Sequence, residues 1–246
     1  MWYPLLPELA REHRVLAVDL PGFGCSSVPQ GPLRTAEDGL RFFVEPVEEV
    51  LSTRASGPLT LVGHSLGGLV SLELALRGRV PVERLVLVDA MGLGPEMARD
   101  ARLFFRVGPE RVARALGPKL FGRISPLPDT PLNRRLMALG YELLTVPGGR
   151  PEATRAFNTL VPLTGGVFHR FERLGEVKQP TLLFWGEHDT VLPVSLAEAT
   201  VKALPHARIA RVPAGHSPHL EQPERTLMEL KALFEARPTM PRVSKR

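Results

Sequence analysis

Five short apolar runs punctuate the chain: RVLAVDL (14–20), LTLVG (59–63), RLVLVDA (84–90), TLLFWG (181–186) and ARIARVP (207–213). Runs of this length that do not alternate strictly between apolar and polar residues suit strands buried on both faces. Segments 37–54, 66–77, 193–203 and 223–236 carry apolar residues at helical spacing and lie between or after these runs. Parallel strands must be joined by crossovers, and helices supply them. The alternation therefore predicts an α/β fold, a mostly parallel sheet flanked by helices. Ligands of such sheets sit at the carboxyl ends of the strands.

The rhythm breaks once. From Gly92 to about Gly175 the chain has helical pieces divided by proline and glycine and no convincing strand. A structureless loop of that length is foreign to a compact domain, so the segment reads as an inserted helical cap over the strand ends. The expected organisation is a core of residues 1–91 and 176–240, a cap of 92–175 and a basic tail of 241–246. Phe104, Phe105, Phe121, Tyr141, Phe157 and Phe168 are apolar residues of the cap; most are expected to pack within it or onto the core, and one or two to line a pocket.

Composition sets the broad class. With 246 residues, 43% hydrophobic and 23% charged, the chain can bury a large single core. Arginine supplies 26 of the 31 basic residues and is scattered, not gathered into a stripe, which argues against a nucleic-acid partner. No apolar run is long enough to span a bilayer, and the first twenty residues lack the pattern of a secretory signal, so no membrane partner and a cytoplasmic location are expected. The single cysteine, Cys25, allows no intrachain disulfide.

Chemistry concentrates at LVGHSLGG, residues 61–68. Gly63-His64-Ser65-Leu66-Gly67 matches G-x-S-x-G, with an apolar run ending at Gly63 and an apolar helix beginning just beyond Gly68. A serine on so tight a turn projects its hydroxyl, and glycines beside it let strand and helix approach. A serine hydroxyl needs a base to take its proton and a carboxylate to orient that base. Among the seven histidines, His216 lies in VPAGHSPHLEQPE after the last apolar run; Asp189 lies in FWGEHDTVLP after the preceding one. Both loops leave the end of the sheet that Ser65 leaves. Taken singly, these residues also suit a turn serine, a loop histidine and a helix-capping aspartate.

With DLPGFGCSS after the first run, and the order Ser65, Asp189, His216, the chain from Trp2 to about Phe234 resembles the α/β-hydrolase family. The resemblance implies Ser65 as nucleophile, His216 as general base and then acid, and Asp189 as the carboxylate that fixes the imidazole tautomer. Asp89 is a rival for the acid, because some family members place it there. His188 is expected to face solvent, His219 to belong to loop packing, and His64 to shape the turn. The resemblance also implies an oxyanion hole, one donor being the Leu66 N–H. The second donor belongs in the family to an H-G loop on an earlier strand, between the strands equivalent to 14–20 and 59–63, and no such stretch occurs here. The expectation is that Met1 is an internal methionine or that the chain is a fragment.

The implied activity is serine hydrolysis of an ester with a small or medium apolar acyl group, a small-molecule substrate. Carbon–carbon bond hydrolysis of the meta-cleavage type is the runner-up, since LVLVDAMGLG resembles that branch while Ser217 stands where its members often carry Trp. An acyltransferase uses the same three residues, and a binding-only relative would follow from an incomplete oxyanion site. No organic cofactor and no metal are expected: the histidines show no zinc-like spacing and there is no phosphate loop.

Overall fold

A computed structural model describes residues 1–123, 130–145 and 151–235; the expected basic tail, 241–246, lies outside them. The elements run α1 (Leu6–Leu9), α2 (Ala36–Arg54), β1 (Leu59–His64), α3 (Leu66–Arg77), β2 (Val82–Val88), α4 (Arg99–Val107), α5 (Pro109–Arg123), α6 (Pro131–Thr145), α7 (Pro151–Leu160), a 3₁₀ turn (Phe171–Glu176), β3 (Thr181–Gly186), α8 (Ser195–Ala203), β4 (Ala207–Val212), α9 (Pro218–Glu221) and α10 (Pro223–Glu235). Local chemistry explains several boundaries. Thr35 caps α2 reciprocally with Asp38: its hydroxyl accepts from the Asp38 N–H, and the Asp38 carboxylate accepts from the Thr35 N–H. Gly78 closes α3 in the left-handed conformation.

The four strands form one parallel sheet in the order β1-β2-β3-β4. His64 pairs with Val88, Val88 with Phe184, and Gly186 with Val212, so the carboxyl ends of adjacent strands finish nearly level. Side-chain alternation splits the core between the two faces. Leu85, Leu87, Leu183 and Trp185 pack with Leu40, Phe43, Leu69 and Leu72 on one face. Val86, Val88, Leu182 and Phe184 pack with Leu5, Leu230 and Leu233 on the other. All these side chains are buried, the source of the continuous apolar runs in the sequence.

One expected strand is absent. Residues 14–20 carry no strand pairing among the described residues, and Val15 and Leu16 are 37% and 51% exposed. An apolar run becomes a strand only beside a backbone that completes its ladder, and β1 is the edge of the sheet here. Only Val18 and Leu20 of this run pack against the core. The run 84–90 is also cut short: the strand stops at Val88 because Asp89 turns to φ 39°.

Between β2 and β3 the described chain is helical, as the sequence suggests, and its two ends meet. Gly92 bridges His169, the Arg170 N–H donates to the Gly92 carbonyl (2.8 Å), and the Val167 N–H to that of Pro95 (3.0 Å). Phe157 and Phe168 pack against the main core, Phe105 rests on Phe157 (ring centroids 4.8 Å apart), Phe121 meets Tyr141, and Phe104 stays exposed. Helix α7 lies directly on α2 at Gly39, where a Cβ would come within 2.0 Å of the Thr159 hydroxyl and 2.5 Å of the Ala156 carbonyl. Arg170 then binds the returning chain to both neighbouring helices, donating to Glu37 of α2 (2.8 and 2.9 Å) and Glu73 of α3 (2.9 Å), while Arg77 joins Glu73 to Glu48.

Glu73 is buried, so removal of a cation leaves it short of a partner where water cannot compensate. Arg170→Met is expected to lower the unfolding free energy by about 2 kcal/mol. Urea titration checks this; an unchanged midpoint would show that the network carries no weight.

Candidate active site

β1 runs into α3 with no spare residue: Leu66 is already helical, and Ser65 bridges the two at φ 51°, ψ −119°. A side chain held in that region is strained, and neighbouring bonds hold it there. The Ser65 N–H donates to the Val88 carbonyl (3.0 Å), and the Ser65 carbonyl accepts from the N–H groups of Gly68 (2.9 Å) and Met91 (3.0 Å). The turn is thus tied to the end of β2 on both sides. Two of its glycines answer to space: a Cβ on Gly63 would lie 2.2 Å from the Gly67 carbonyl, and one on Gly68 would lie 2.3 Å from the Ala90 Cβ. A Cβ on Gly67 would meet nothing within 4 Å.

The structure brings Ser65, His216 and Asp189 into one hydrogen-bonded series. His216 Nε2 lies 3.1 Å from Ser65 Oγ, and His216 Nδ1 lies 2.8 Å from Asp189 Oδ2. The other Asp189 oxygen accepts from the N–H groups of Val191 (2.7 Å) and Leu192 (3.0 Å), and the carboxylate is fully buried. With Nδ1–H donating to the Asp189 carboxylate, Nε2 is left as an acceptor aimed at the serine hydroxyl. The Leu66 N–H, at the start of α3, has no acceptor among the described residues.

Two further groups shape this site, and sequence reasoning gave them no such part. Glu221 accepts from the N–H groups of Gly215 (2.9 Å) and Ser217 (3.2 Å), gripping the backbone on both sides of His216. A glutamate in the loop after an apolar run has no signal that distinguishes it. Gly186 is the other: a Cβ there would stand 2.0 Å from the Gly215 carbonyl, so the loops carrying Asp189 and His216 touch only because it has none. Asp89 is not the partner of the imidazole Nδ1. One of its oxygens accepts from the Gly186 N–H (2.9 Å), and the other is buried without a partner. Burial, then the neighbouring charge of Asp189, pushes its carboxyl up to about 9.

Among the described residues one trio, His64, Asp89 and His216, offers metal-ligating atoms within 4.8 Å of one another. His64 Nε2 already meets the His216 carbonyl, and the two ring nitrogens of His216 meet Asp189 and Ser65. Among the same residues no helix is long and apolar enough to cross a membrane.

The sequence profile of the alpha/beta hydrolase family matches residues 1–229. The chain is 28% identical over 240 residues to a pimeloyl-[acyl-carrier protein] methyl ester esterase of Nitrosomonas europaea, covering 95% of this chain and 90% of that protein. It is 29% identical over 233 residues to a 2-hydroxy-6-oxo-6-(2'-aminophenyl)hexa-2,4-dienoic acid hydrolase of Metapseudomonas resinovorans, covering 91% and 74%. A solved hydrolase structure from Pseudomonas aeruginosa superposes with a TM-score of 0.72 at 27% identity, over 96% of this chain and 85% of that one.

Three further histidines, His188, His64 and His219, divide by environment. His188 is exposed. His64 lends its Nε2 to the His216 carbonyl (2.6 Å) and stacks near the rings of His216 (4.9 Å) and His219 (4.6 Å). His219 is fully buried against Trp2, with neither ring nitrogen partnered. Burial, then the nearby imidazole of His216, holds His64 down to about 3; burial, then His64, holds His219 down to about 2. Both are neutral in the folded chain but gain protons when unfolded below pH 6.5, their ordinary value. Their contribution to stability is therefore complete above 6.5 and lost as pH falls, about 1.4 kcal/mol per unit for each. His219→Phe is expected to flatten the decline between pH 6 and 4, read by urea unfolding at each pH; an equally steep decline would show that His219 takes no part in it.

Proposed function

The chain belongs to the alpha/beta hydrolase family, and from that premise we propose that it is a serine hydrolase acting on esters of small or medium apolar acids. The observation that carries this reading is the unbroken series from Ser65 Oγ through the His216 ring to the buried Asp189 carboxylate. In this mechanism His216 Nε2 takes the Ser65 proton as Oγ attacks the ester carbonyl, and Asp189 stabilises the imidazolium through Nδ1–H. The Leu66 N–H, at the positive end of α3, donates to the oxyanion. Collapse of the tetrahedral species, with the proton passed to the leaving alcohol, gives acyl-Ser65. Water activated by His216 then releases the acid and restores the serine.

Segment 92–175, with its described helices α4 to α7, acts in this reading as a cap, pinned at its two ends and by Arg170, with its phenylalanines as the source of an apolar acyl site. The similarity to a methyl ester esterase favours ester hydrolysis. A second reading, hydrolysis of a carbon–carbon bond in a dienoic acid, draws on the comparable similarity to a hydrolase of that type and uses the same three residues.

A fluorophosphonate probe is expected to form an adduct on Ser65, seen by peptide mass spectrometry and absent in Ser65→Ala. Hydrolysis of p-nitrophenyl esters should fall on the order of 10⁴-fold or more in Ser65→Ala and about 10⁴-fold in Asp189→Asn. A folded wild-type protein that neither labels nor hydrolyses would favour a binding-only protein. Turnover of a dienone acid in preference to every ester in the panel would favour the second reading.

A further inference from the structure

Asp89, the residue that follows β2, is a buried carboxyl that the proposed reaction does not use, and its setting is unusual in three respects. It is one of two non-glycine residues with positive φ among the described residues, at 39°; the other is Ser65. It is fully buried, yet one oxygen has no partner. That carboxyl lies within 4.8 Å of ring nitrogens of both His64 and His216. Strain and an unpaired buried polar atom each cost stability, so a residue that combines them needs a role that repays them.

The bonds around it suggest that role. Ser65 binds the backbone on either side of Asp89, through Val88 and Met91. The Asp89 N–H donates to the Phe184 carbonyl (3.1 Å), and its carboxyl accepts from the N–H of Gly186, where the chain turns toward Asp189. Asp89 is thus the joint through which the serine turn and the aspartate loop are set against each other. We propose that Asp89 is a positioning residue that couples the Ser65 turn to the Asp189 loop, and that it does so as the uncharged acid, adding no second negative charge behind the imidazole.

The charged and titratable groups facing it from the elements around it support the uncharged form. Asp189 after β3 and Glu221 of α9 are both negative neighbours. His64 at the end of β1 and His216 after β4 are the imidazoles in reach. A bare carboxylate there would oppose two like charges with one oxygen unsolvated.

This inference rests on the serine-hydrolase reading for its effect on rate, but not for its effect on stability, so the two can fail separately. Asp89→Gly accepts the backbone angle and removes the acceptor of the Gly186 N–H. It is expected to lower kcat for a p-nitrophenyl ester at least tenfold while KM stays within about twofold, and to slow fluorophosphonate labelling in parallel. Asp89→Asn keeps an acceptor oxygen, tolerates left-handed φ and carries no charge, and should restore most of that loss. A glycine variant equal to wild type, or an asparagine variant as impaired as Asp189→Asn, would overturn the positioning role. The uncharged form has its own test. A folded chain that holds a proton which the unfolded chain has released loses stability as pH rises. Asp89→Asn has no such proton, so its Tm should gain on wild type between pH 7 and 9, by about 5 °C or more. A Tm difference that does not change with pH would show that Asp89 is ionised throughout. This comparison stands even if the glycine variant does not fold or Ser65 proves not to react.

Discussion

Parallel pairing of β1, β2, β3 and β4 with nearly level ends is the constraint from which the site follows. His64, Val88, Phe184, Gly186 and Val212 mark those ends, and the side chains of interest come in the next few residues: Ser65, Asp89, Asp189 and His216. The register is strongly specified because β2 and β3 are buried on both faces. A one-residue slip would exchange Leu85 and Leu87 with Val86 and Val88 between two differently shaped cores. The energy that sets the register is thus ordinary burial of aliphatic side chains, remote from the polar cluster that it aligns.

At those ends, three carboxyls and three imidazoles share one small region, and each carboxyl has a different task set by what solvates it. Asp189 is met by two backbone N–H groups on one oxygen and by the His216 imidazole on the other, and so orients that ring. Glu221 spends both oxygens on the backbone around His216. Asp89 has one backbone donor and two like-charged neighbours, which favours the protonated form. His64 and His219, packed ring against ring without a carboxylate of their own, remain neutral. The three carboxyls are thus told apart by their partners: an imidazole for Asp189, the loop backbone for Glu221 and the Gly186 N–H for Asp89.

The helical segment between β2 and β3 is fastened by different physics. Gly39 permits close contact of α2 with α7, and Arg170 neutralises Glu37 and shares Glu73 with Arg77. A guanidinium can satisfy two carboxylates at once because its donors point in several fixed directions. These contacts hold the part of the segment nearest the core, including Phe157 and Phe168, while Phe104 on α4 remains exposed.

The repeating pattern of apolar runs and helices was sufficient for the parallel α/β class, because burial on both faces leaves a local mark in composition. Ser65, Asp189 and His216 were legible for a related reason: each follows such a run, and loops at one end of a parallel sheet converge. Residues 14–20 show the limit of that reasoning. Their composition is that of a buried strand, but a strand exists only with a neighbour to complete its hydrogen bonds, and that depends on what lies beside it in space. The grip of Glu221 on the His216 loop, the join made by Asp89 and the bonds of Arg170 to two helices were likewise decided only by the tertiary structure. A hydrogen bond between residues 97 positions apart leaves no periodic trace in a sequence, whereas the burial that brings them together does.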